Sequence, residues 1–417
     1  MAGTVVTGGP PANAVGTEEF VVQATTGESE KVVDMADKIA VLDPDDTQFT
    51  TLTDKLSSRT AVREKVNWLE EEDFPRQVTT TTAQLSTDTA LVLTAGQGLT
   101  VQPNDLLRNM RTGEGIRITT VTTDTLAIVR GVGSATGGIA AAAINVGDVF
   151  LVVGDAQPQG SDYPVMRYLQ RVIGFNYTQI TRTPWTFTGT ATSIELYGGR
   201  EPAKEAVRKA REHKKKWEAI GFFGMRSFAA TVTTPASQDP QGTAGGALEF
   251  VQSIKRDASS SNSGVFTPGF FDQFVTDVFA HGSTTNKIFF CAPAVAQVLS
   301  SYNRQGMGAY WEPTPDNIYG VKVDAYISGA YGWRIPVVVK REWSQFPTTN
   351  KGFGTYGFLL DMDYIQSIPL RDRDTKLLTE QQPKGRDTYA AEYFREATFQ
   401  FAHNRCHGIL YGAAAPT

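Results

Sequence analysis

A β-patterned run that leads into a long charged helix is the feature that most constrains this chain. NYTQITRTPWTFTGTA (176–191) alternates as strands do, and EPAKEAVRKAREHKKKWEAIGFFG (201–224) follows a Tyr-Gly-Gly turn. Pro202 suits a first helical turn, because its missing N–H has no helical partner to lose there. One apolar stripe recurs at spacings of three and four, which predicts a single buried helix face: Ala203, Ala206, Ala210, His213, Trp217 and Ile220. The charged residues from Lys204 to Glu218 are expected on the other faces.

Composition limits the class of protein. A length of 417 residues with 41% hydrophobic residues suits a folded chain of two or three domains. The net charge of −5 disfavours sequence-independent binding of nucleic acid by the chain as a whole. No apolar run approaches the roughly 20 residues that span a bilayer, and the start lacks the pattern of a signal peptide. Two cysteines, Cys291 and Cys406, indicate a reducing cytosol rather than a disulfide framework.

The first 77 residues predict an arm followed by a strand. Residues 1–30 are rich in Gly, Ala, Thr and Pro, so we expect them to order only against a partner. Short helices are predicted at Glu30–Leu42 and Thr47–Leu56, and a strand at Val62–Leu69. An acidic cluster follows the strand: Glu70, Glu71, Glu72 and Asp73.

Residues 78–160 change in character. Thr, Val, Gly and Ala dominate, and short alternating runs are separated by turn signals such as Thr112-Gly113-Glu114. Short strands at this spacing predict a small β-barrel or sandwich. Because strand-like segments flank it on both sides, the block is interpreted as a domain inserted into a long hairpin.

The second half of the chain mixes α and β signals. A phenylalanine-rich helix near 270–279, a strand at Lys287–Cys291 and a helix beginning at Pro293 are predicted in turn. We expect a loop from Gly306 to Pro315 and one long strand over Asp387–Leu410. Trp311 and Trp333 fall in glycine-rich segments, so they are candidates for a partner surface.

No constellation makes a case for catalysis, a metal or a nucleotide. The run Gly131–Gly137 lacks the spacing of a phosphate-binding loop. His403 and His407 have the spacing of a helical zinc pair, but on a strand they would lie about 13 Å apart, too far to share one ion. Asp361 and Asp363 could be acid–base or metal-binding carboxylates, but alternating charge near strand ends is more often a solvated or subunit-facing surface. We therefore expect no enzyme activity and no cofactor.

Several segments together resemble the major capsid proteins of tailed bacteriophages, and more narrowly the SU10-type major head protein family. They are NWLEEE (67–72), NYTQITRTPWTFTGTA (176–191), YGG to EHKKKWEAIGFFG (197–224), YGVKVDAYISGAYGWRIPVVV (319–339) and EATFQFAHNRCHGILYG (396–412). The resemblance covers most of the chain from about residue 30. It implies an α+β fold of the Hong Kong 97 type, with an N-terminal arm, an extended E-loop, a peripheral (P) domain with a long spine helix, and an axial (A) domain.

The resemblance also implies a division of the chain into five parts. The N-terminal arm would be 1–59, the E-loop arms 60–77 and 161–196, the all-β insertion 78–160, the P-domain 197–244 and 376–417, and the A-domain 245–375.

The implied function is that of a major capsid protein whose copies form an icosahedral shell around packaged DNA, without sequence-specific contact. Its partners would be itself in hexamers and pentamers, a separate scaffolding protein, a portal and decoration proteins, and no membrane. The virion would be its location, after assembly in the host cytoplasm. A tail-tube or decoration protein and an encapsulin-like compartment shell are the alternatives.

Charge suggests where copies of the chain would meet. In such shells the E-loop of one subunit lies across the P-domain of its neighbour, so Glu70–Asp73 would face a basic surface. His213 with Lys214, Lys215 and Lys216 offers that surface on the predicted spine helix.

Overall fold

The computed structural model describes residues 47–56, 59–164, 166, 171–193, 201–229, 240–259, 266–282, 284–304, 311–318, 321–327, 332–349 and 351–413. The predicted helix Glu30–Leu42 and the arm 1–30 lie outside these residues. The described helices are α1 Gln48–Lys55, α2 Gly189–Ser193, α3 Glu201–Phe223, α4 Ala247–Phe250, α5 Pro268–Phe279 and α6 Pro293–Arg304.

The described strands outnumber the helices, so the fold is α+β with β-structure dominant. They are β1 Lys65–Glu70, β2 Gln77–Thr79, β3 Ala90–Val92, β4 Asp105–Asn109, β5 Gly115–Thr122, β6 Thr125–Val129, β7 Val149–Asp155, β8 Val172–Tyr177, β9 Gln179–Thr188, β10 Ser227–Ala229, β11 Gln241–Thr243, β12 Lys255–Asp257, β13 Lys287–Cys291, β14 Trp311–Ile318, β15 Val321–Ile327, β16 Arg334–Val339, β17 Gly357–Asp361, β18 Ile365–Pro369, β19 Lys376–Leu378, β20 Thr388–Phe401 and β21 Gly408–Tyr411.

A seven-stranded mixed sheet forms the centre of the second half, in the order β12-β21-β17-β13-β16-β15-β14. Strand β13 is buried along its whole length and pairs parallel with β16 and antiparallel with β17. Helix α5 buries a phenylalanine-rich face, and Pro268 begins it after a Thr267 side-chain cap. The predicted helices and strand of this region are confirmed. The predicted loop Gly306–Pro315 is wrong over β14, because that strand pairs with β15.

A second sheet carries the long helix. Its order is β18-β20-β19, and β9 pairs antiparallel with β20 over ten residues, from Gln179 opposite Ala397 to Thr188 opposite Thr388. The predicted helix at 201–224 is confirmed as α3, which packs against β9 and β20. Trp217 is fully buried there, and Ala203, the first residue of the predicted stripe, is exposed. The buried stripe is therefore shorter than the sequence indicated.

The sequence predicted one long strand over Asp387–Leu410, but the structure has two strands there. Strand β20 ends at Phe401, and His403 adopts a left-handed backbone conformation with φ of 55°. A single 3-10 turn at Asn404–Cys406 then redirects the chain into β21, which joins the other sheet. His403 and His407 therefore do not share a strand, and their predicted spacing of about 13 Å does not apply.

Strands β1 and β8 form a separate two-stranded hairpin, with Lys65 opposite Tyr177 and Glu70 opposite Val172. The chain between them contains a six-stranded sheet in the order β2-β7-β4-β5-β6-β3. This sheet encloses its own apolar cluster, which includes Leu107, Ile116 and Phe150. A distinct, larger apolar cluster is formed by side chains of α1, α3, α5 and the seven-stranded sheet.

Candidate interaction surfaces

The root of the hairpin is fixed to the rest of the chain by Asn176. Its buried side-chain amide donates to the carbonyl oxygens of Phe399 at 2.7 Å and Gly245 at 3.1 Å. Its Oδ1 accepts from the backbone N–H of Gly245 at 2.9 Å and of Tyr177 at 2.9 Å. The side chain thus uses both donors and its acceptor, which is how a buried amide avoids a desolvation penalty.

The outer part of the hairpin exposes apolar side chains. Val66 and Trp68 alternate inward, and the Trp68 ring packs 5.7 Å from Phe250. Leu69 and its cross-strand partner Ile173 are 63% and 62% exposed, and Val172 is 62% exposed. A two-stranded hairpin is marginally stable alone, so an exposed apolar end of this kind favours contact with another surface.

The acidic cluster follows β1 directly, and three of its four carboxylates have partners within the chain. Glu70 accepts from Trp68 Nε1 at 2.6 Å. Glu71 pairs with Arg171 at 3.0 Å, and Glu72 pairs with Arg405 at 3.3 Å, with more than half of all four side chains exposed. Asp73 is exposed. Exposed pairs of this kind contribute only about 0.2–1 kcal/mol, so they leave the carboxylates open to other partners.

The four residues of the predicted basic surface, 213–216, point to different sides of α3, so their surroundings differ. Lys214 is exposed, Lys215 pairs with Glu342 at 2.9 Å, and Lys216 pairs with Glu212 at 3.0 Å. His213 belongs to the buried face, with Nδ1 3.1 Å from Thr183 Oγ1.

Burial lowers the pKa of His213 to about 4, and the nearby charges of Arg395 and Lys216 act in the same direction. His213 is therefore neutral at pH 7 and is not part of the basic surface. It lies on the buried stripe that the sequence predicted, because the helical turn that exposes Lys214 buries the residue before it.

The two tryptophans have different surroundings. Trp311 begins β14 and is paired with Tyr326 of β15, so it lies in a strand rather than in the expected loop. Trp333 precedes β16 and is half-buried, with its ring 4.6 Å from that of Phe279. Trp333 also lines a groove of about 490 Å³, beside Leu52 of α1 and Leu56, which follows α1. It is part of the packed interior and not a freely exposed loop aromatic.

Glu218 is the most consequential residue that the sequence did not reveal. It was expected on a charged outer face, yet it is only 2% exposed. Its carboxylate accepts from the backbone N–H groups of Phe49 at 2.9 Å and Thr50 at 2.6 Å, at the amino-terminal end of α1. Lys340 Nζ, itself buried, donates to it at 2.5 Å. Glu218 thus caps α1, neutralises Lys340 and fixes α1 to α3. These partners are more than 100 residues away, so no local pattern could have indicated them.

A second buried charge cluster connects the two sheets. Lys287 and Asp361 form an ion pair at 2.7 Å with both side chains fully buried, and Lys287 also donates to the carbonyl of Cys406. His407 Nδ1 accepts from the backbone N–H of Asp361 at 3.0 Å. Burial lowers the pKa of His407 to about 4. The cluster uses its donors and acceptors internally, which indicates a structural role.

Within the described part of the chain, no group of three or more His, Cys, Asp or Glu side chains is arranged to hold a metal ion. None of the helices in those same ranges is long and apolar enough to cross a membrane.

A hairpin with an inserted β-sheet, a long helix on a sheet and a mixed α/β block are present in the described chain, as the resemblance in the sequence implied. Comparison with known proteins specifies the family. The model of the SU10 major capsid protein family matches residues 16–414, and the chain belongs to that family.

Individual relatives are more distant. The major capsid protein of Pseudomonas phage PaMx41 is 33% identical over 146 residues, which cover 34% of this chain and 34% of that protein. The aligned segment therefore spans about a third of the relative's length. A chain of the holo-SrpI encapsulin complex from Synechococcus elongatus PCC 7942 is 10% identical with a TM-score of 0.42, covering 60% of this chain and 80% of that chain. A chain from Microbacterium phage Oxtober96 is 12% identical with a TM-score of 0.42, covering 94% and 100%.

Proposed function

We propose that this chain is the repeating subunit of an icosahedral shell that encloses a packaged phage genome. The observation that carries the proposal is the match to the SU10 major capsid protein family across residues 16–414. The role is structural, without catalysis: contacts that are weak one at a time are repeated by symmetry until the shell closes.

The exposed end of the hairpin supports this proposal. Leu69, Val172 and Ile173 are more than 60% exposed and stand on two strands that lack a third neighbour in the described chain. Covering them with another copy would bury apolar surface, which stabilises association by about 25 cal/mol per Å² of apolar area. The hairpin is thus suited to lie across a neighbouring subunit as an E-loop.

The division into arm, E-loop, insertion, P-domain and A-domain is part of the proposal. Hydrogen bonding favours adjusting its boundaries: β9 belongs with β20 in the P-domain sheet, β18 also pairs with β20, and β21 pairs with β17 of the A-domain sheet. The partners we propose are further copies in hexamers and pentamers, a scaffolding protein, a portal, decoration proteins and enclosed double-stranded DNA. Assembly would take place in the host cytoplasm, and the mature location would be the virion.

Pairing of the acidic cluster Glu70–Asp73 with the basic α3 of a neighbouring subunit also stays a proposal. Both sides retain exposed charge, since Glu71 and Glu72 form only exposed pairs and Lys214 is free of any carboxylate among the described residues. Trp311 and Trp333 are weaker candidates for this contact.

Electron microscopy and light scattering of the purified chain, expressed with its scaffold, test the proposed function. We expect closed particles or hexamers and pentamers. Tubes would favour a tail-tube protein, and particles that recruit cargo enzymes in place of DNA would favour an encapsulin-like compartment. A monodisperse 45.4 kDa species under assembly conditions would contradict the proposal.

A further inference from the structure

The outward face of α3 carries a stripe of four basic side chains. Lys204, Arg208, Arg211 and Lys214 are exposed and recur at spacings of three and four residues. At 3.6 residues per turn these positions fall within about a third of the helix circumference, opposite the buried Trp217. With a rise of 1.5 Å per residue, the basic stripe is about 15 Å long.

The stripe is poorly neutralised. Among the described residues, Lys204, Arg211 and Lys214 have no carboxylate within ion-pair distance, and Arg208 has only Glu205 at 3.6 Å. In contrast, Lys209, Lys215 and Lys216 on the flanks all pair with glutamates. The cations that pair closely with glutamates thus lie on the flanks of α3, and the stripe consists of cations with weak or no ion pairs among the described residues.

The stripe is also a local exception in an acidic chain. The segment 204–216 contains seven lysines and arginines and two glutamates, a charge of +5, although the whole chain carries −5. A polyanion would therefore be attracted along this helix and repelled by most other surfaces.

The composition of the stripe favours phosphate over protein as its ligand. The centres of protein interfaces are depleted in lysine and enriched in aromatic anchors. Val207, 57% exposed, is the only large apolar side chain exposed beside the stripe in the described part of α3. A duplex presents one phosphate per 3.4 Å of axis on each strand, so a 15 Å stripe lies within reach of several phosphates of the two strands, up to one for each of its four cations.

We propose that the basic stripe of α3 binds the phosphate backbone of double-stranded DNA without reading its sequence. The inference rests on the proposed function, in which copies of the chain enclose a duplex genome. It adds that the stripe from Lys204 to Arg211 faces the enclosed DNA, and that Lys214, at its end, is shared with the proposed contact to the acidic cluster of a neighbouring subunit.

Fluorescence anisotropy with a labelled 30-base-pair duplex and the purified full-length chain tests the proposal. With up to four phosphates neutralised, the logarithm of the affinity should fall against log salt with a slope of about −3 to −4, near 10²-fold between 50 and 200 mM salt. The variant Lys204→Gln/Arg208→Gln/Arg211→Gln/Lys214→Gln should bind at least tenfold more weakly at 50 mM salt, with a slope near zero. Glutamine has a helix propensity close to that of lysine and arginine, and circular dichroism verifies that α3 persists.

A matched control removes four exposed cations elsewhere: Arg108→Gln/Arg117→Gln/Lys384→Gln/Arg386→Gln. It changes the net charge equally and should keep wild-type affinity and slope. Equal loss in the control, or no loss in the stripe variant, would overturn the proposal. Binding of a polyglutamate peptide without binding of the duplex would do so too, and would assign the stripe to an acidic protein.

Electron microscopy of the same preparations separates this inference from the proposed function. Particles formed without stripe-dependent duplex binding contradict only the DNA contact. Stripe-dependent duplex binding by a chain that never assembles contradicts only the proposed shell.

Discussion

At the scale of single residues, buried charges hold α1 against the long helix. The Glu218 carboxylate accepts hydrogen bonds from two backbone N–H groups in the first turn of α1 and from the ammonium group of Lys340. Gln48 accepts a further hydrogen bond from Lys340 at 2.7 Å, and Asp54 pairs with Arg395 at 2.8 Å. Helix α1 is thus held in place by charge as well as by the buried side chains of Phe49 and Leu52.

Glu218→Gln should therefore destabilise the chain strongly. The substitution leaves Lys340 buried without its counter-charge, and breaking one side of a buried pair costs about 3–5 kcal/mol. Urea unfolding measures the free energy of unfolding. Glu212→Gln on the same helix is the control, because Glu212 is about two-fifths exposed and its pairs are worth about 1 kcal/mol or less. Equal effects of the two variants would contradict a stabilising role for the buried pair.

The histidines predict how stability depends on pH. His213 and His407 have pKa values near 4 in the folded chain, because both are buried, against 6.5 when exposed. Between pH 6.5 and 4 the unfolded chain binds protons that the folded chain excludes, so the free energy of unfolding falls as the pH falls through this window.

His213→Leu should reduce the fall in the free energy of unfolding at low pH. At pH 5 the proton linkage of one such histidine amounts to about 2 kcal/mol, so the variant should gain that much over wild type between pH 7.5 and pH 5. Its polar cost at pH 7.5 should be limited to the hydrogen bond between Nδ1 and Thr183, about 1 kcal/mol, because His213 Nε2 has no hydrogen-bond partner among the described residues. Parallel pH profiles for wild type and variant would refute the assignment.

At the scale of elements, the inserted β-sheet has the properties of an independent unit. Glu114 lies in its interior and forms a pair with Arg130 at 2.7 Å, with both side chains almost fully buried. Burial acts to raise the pKa of Glu114, but hydrogen bonds from Arg130 and from the backbone N–H groups of Ala142 and Gly131 hold it below its usual value. The carboxylate thereby fixes the glycine-rich loop to β5.

We expect residues 76–160, expressed alone, to give a β-type circular dichroism spectrum and a cooperative melt. Glu114→Ala should lower the stability of the segment by about 3–5 kcal/mol, because Arg130 remains buried without its counter-charge. Arg117→Gln, an exposed change on β5, should stay within about 0.5 kcal/mol of wild type. A random-coil spectrum of the unaltered segment would show that its fold depends on the hairpin.

At the scale of the whole molecule, the proposed shell would depend on small terms that are multiplied over every subunit contact. Glu71→Lys with Glu72→Lys should impair assembly at low salt and leave the subunit folded, since the exposed pairs to Arg171 and Arg405 contribute little. Lys214→Glu with Lys215→Glu should restore part of the particle yield. The defect should shrink at high salt, where exposed charges are screened. Sedimentation of particles measures the yield.

An unchanged yield from the double charge reversal at low salt would show that the acidic cluster and α3 do not pair between subunits. Arg171→Glu with Arg405→Glu is the complementary control. It breaks the same pairs within the chain but leaves the carboxylates available to a neighbour, so assembly should persist.

Local periodicity determined much of the fold from the sequence alone. Helix α3 was predicted from the spacing of Ala206, Ala210 and Trp217, and α1 and the strands of the inserted sheet from short patterns with turn residues between them. Helical and strand periods are properties of neighbouring residues, so they can be recognised without knowing what packs against them. The order of these elements was also sufficient to indicate the capsid family.

Only the tertiary structure decided which of these elements pair with one another. An alternating run over 176–191 contains no sign that β8 joins the hairpin and β9 the sheet of β20, because both pair with strands that lie far along the chain. Glu218 occupies the same helix as Lys214, yet distant residues determine that Glu218 is buried and Lys214 is exposed. The net charge of the chain disfavoured binding to DNA, whereas the exposed face of α3 carries four cations in one stripe. Sequence specifies each period and each charge, whereas burial and pairing depend on residues more than 100 positions apart.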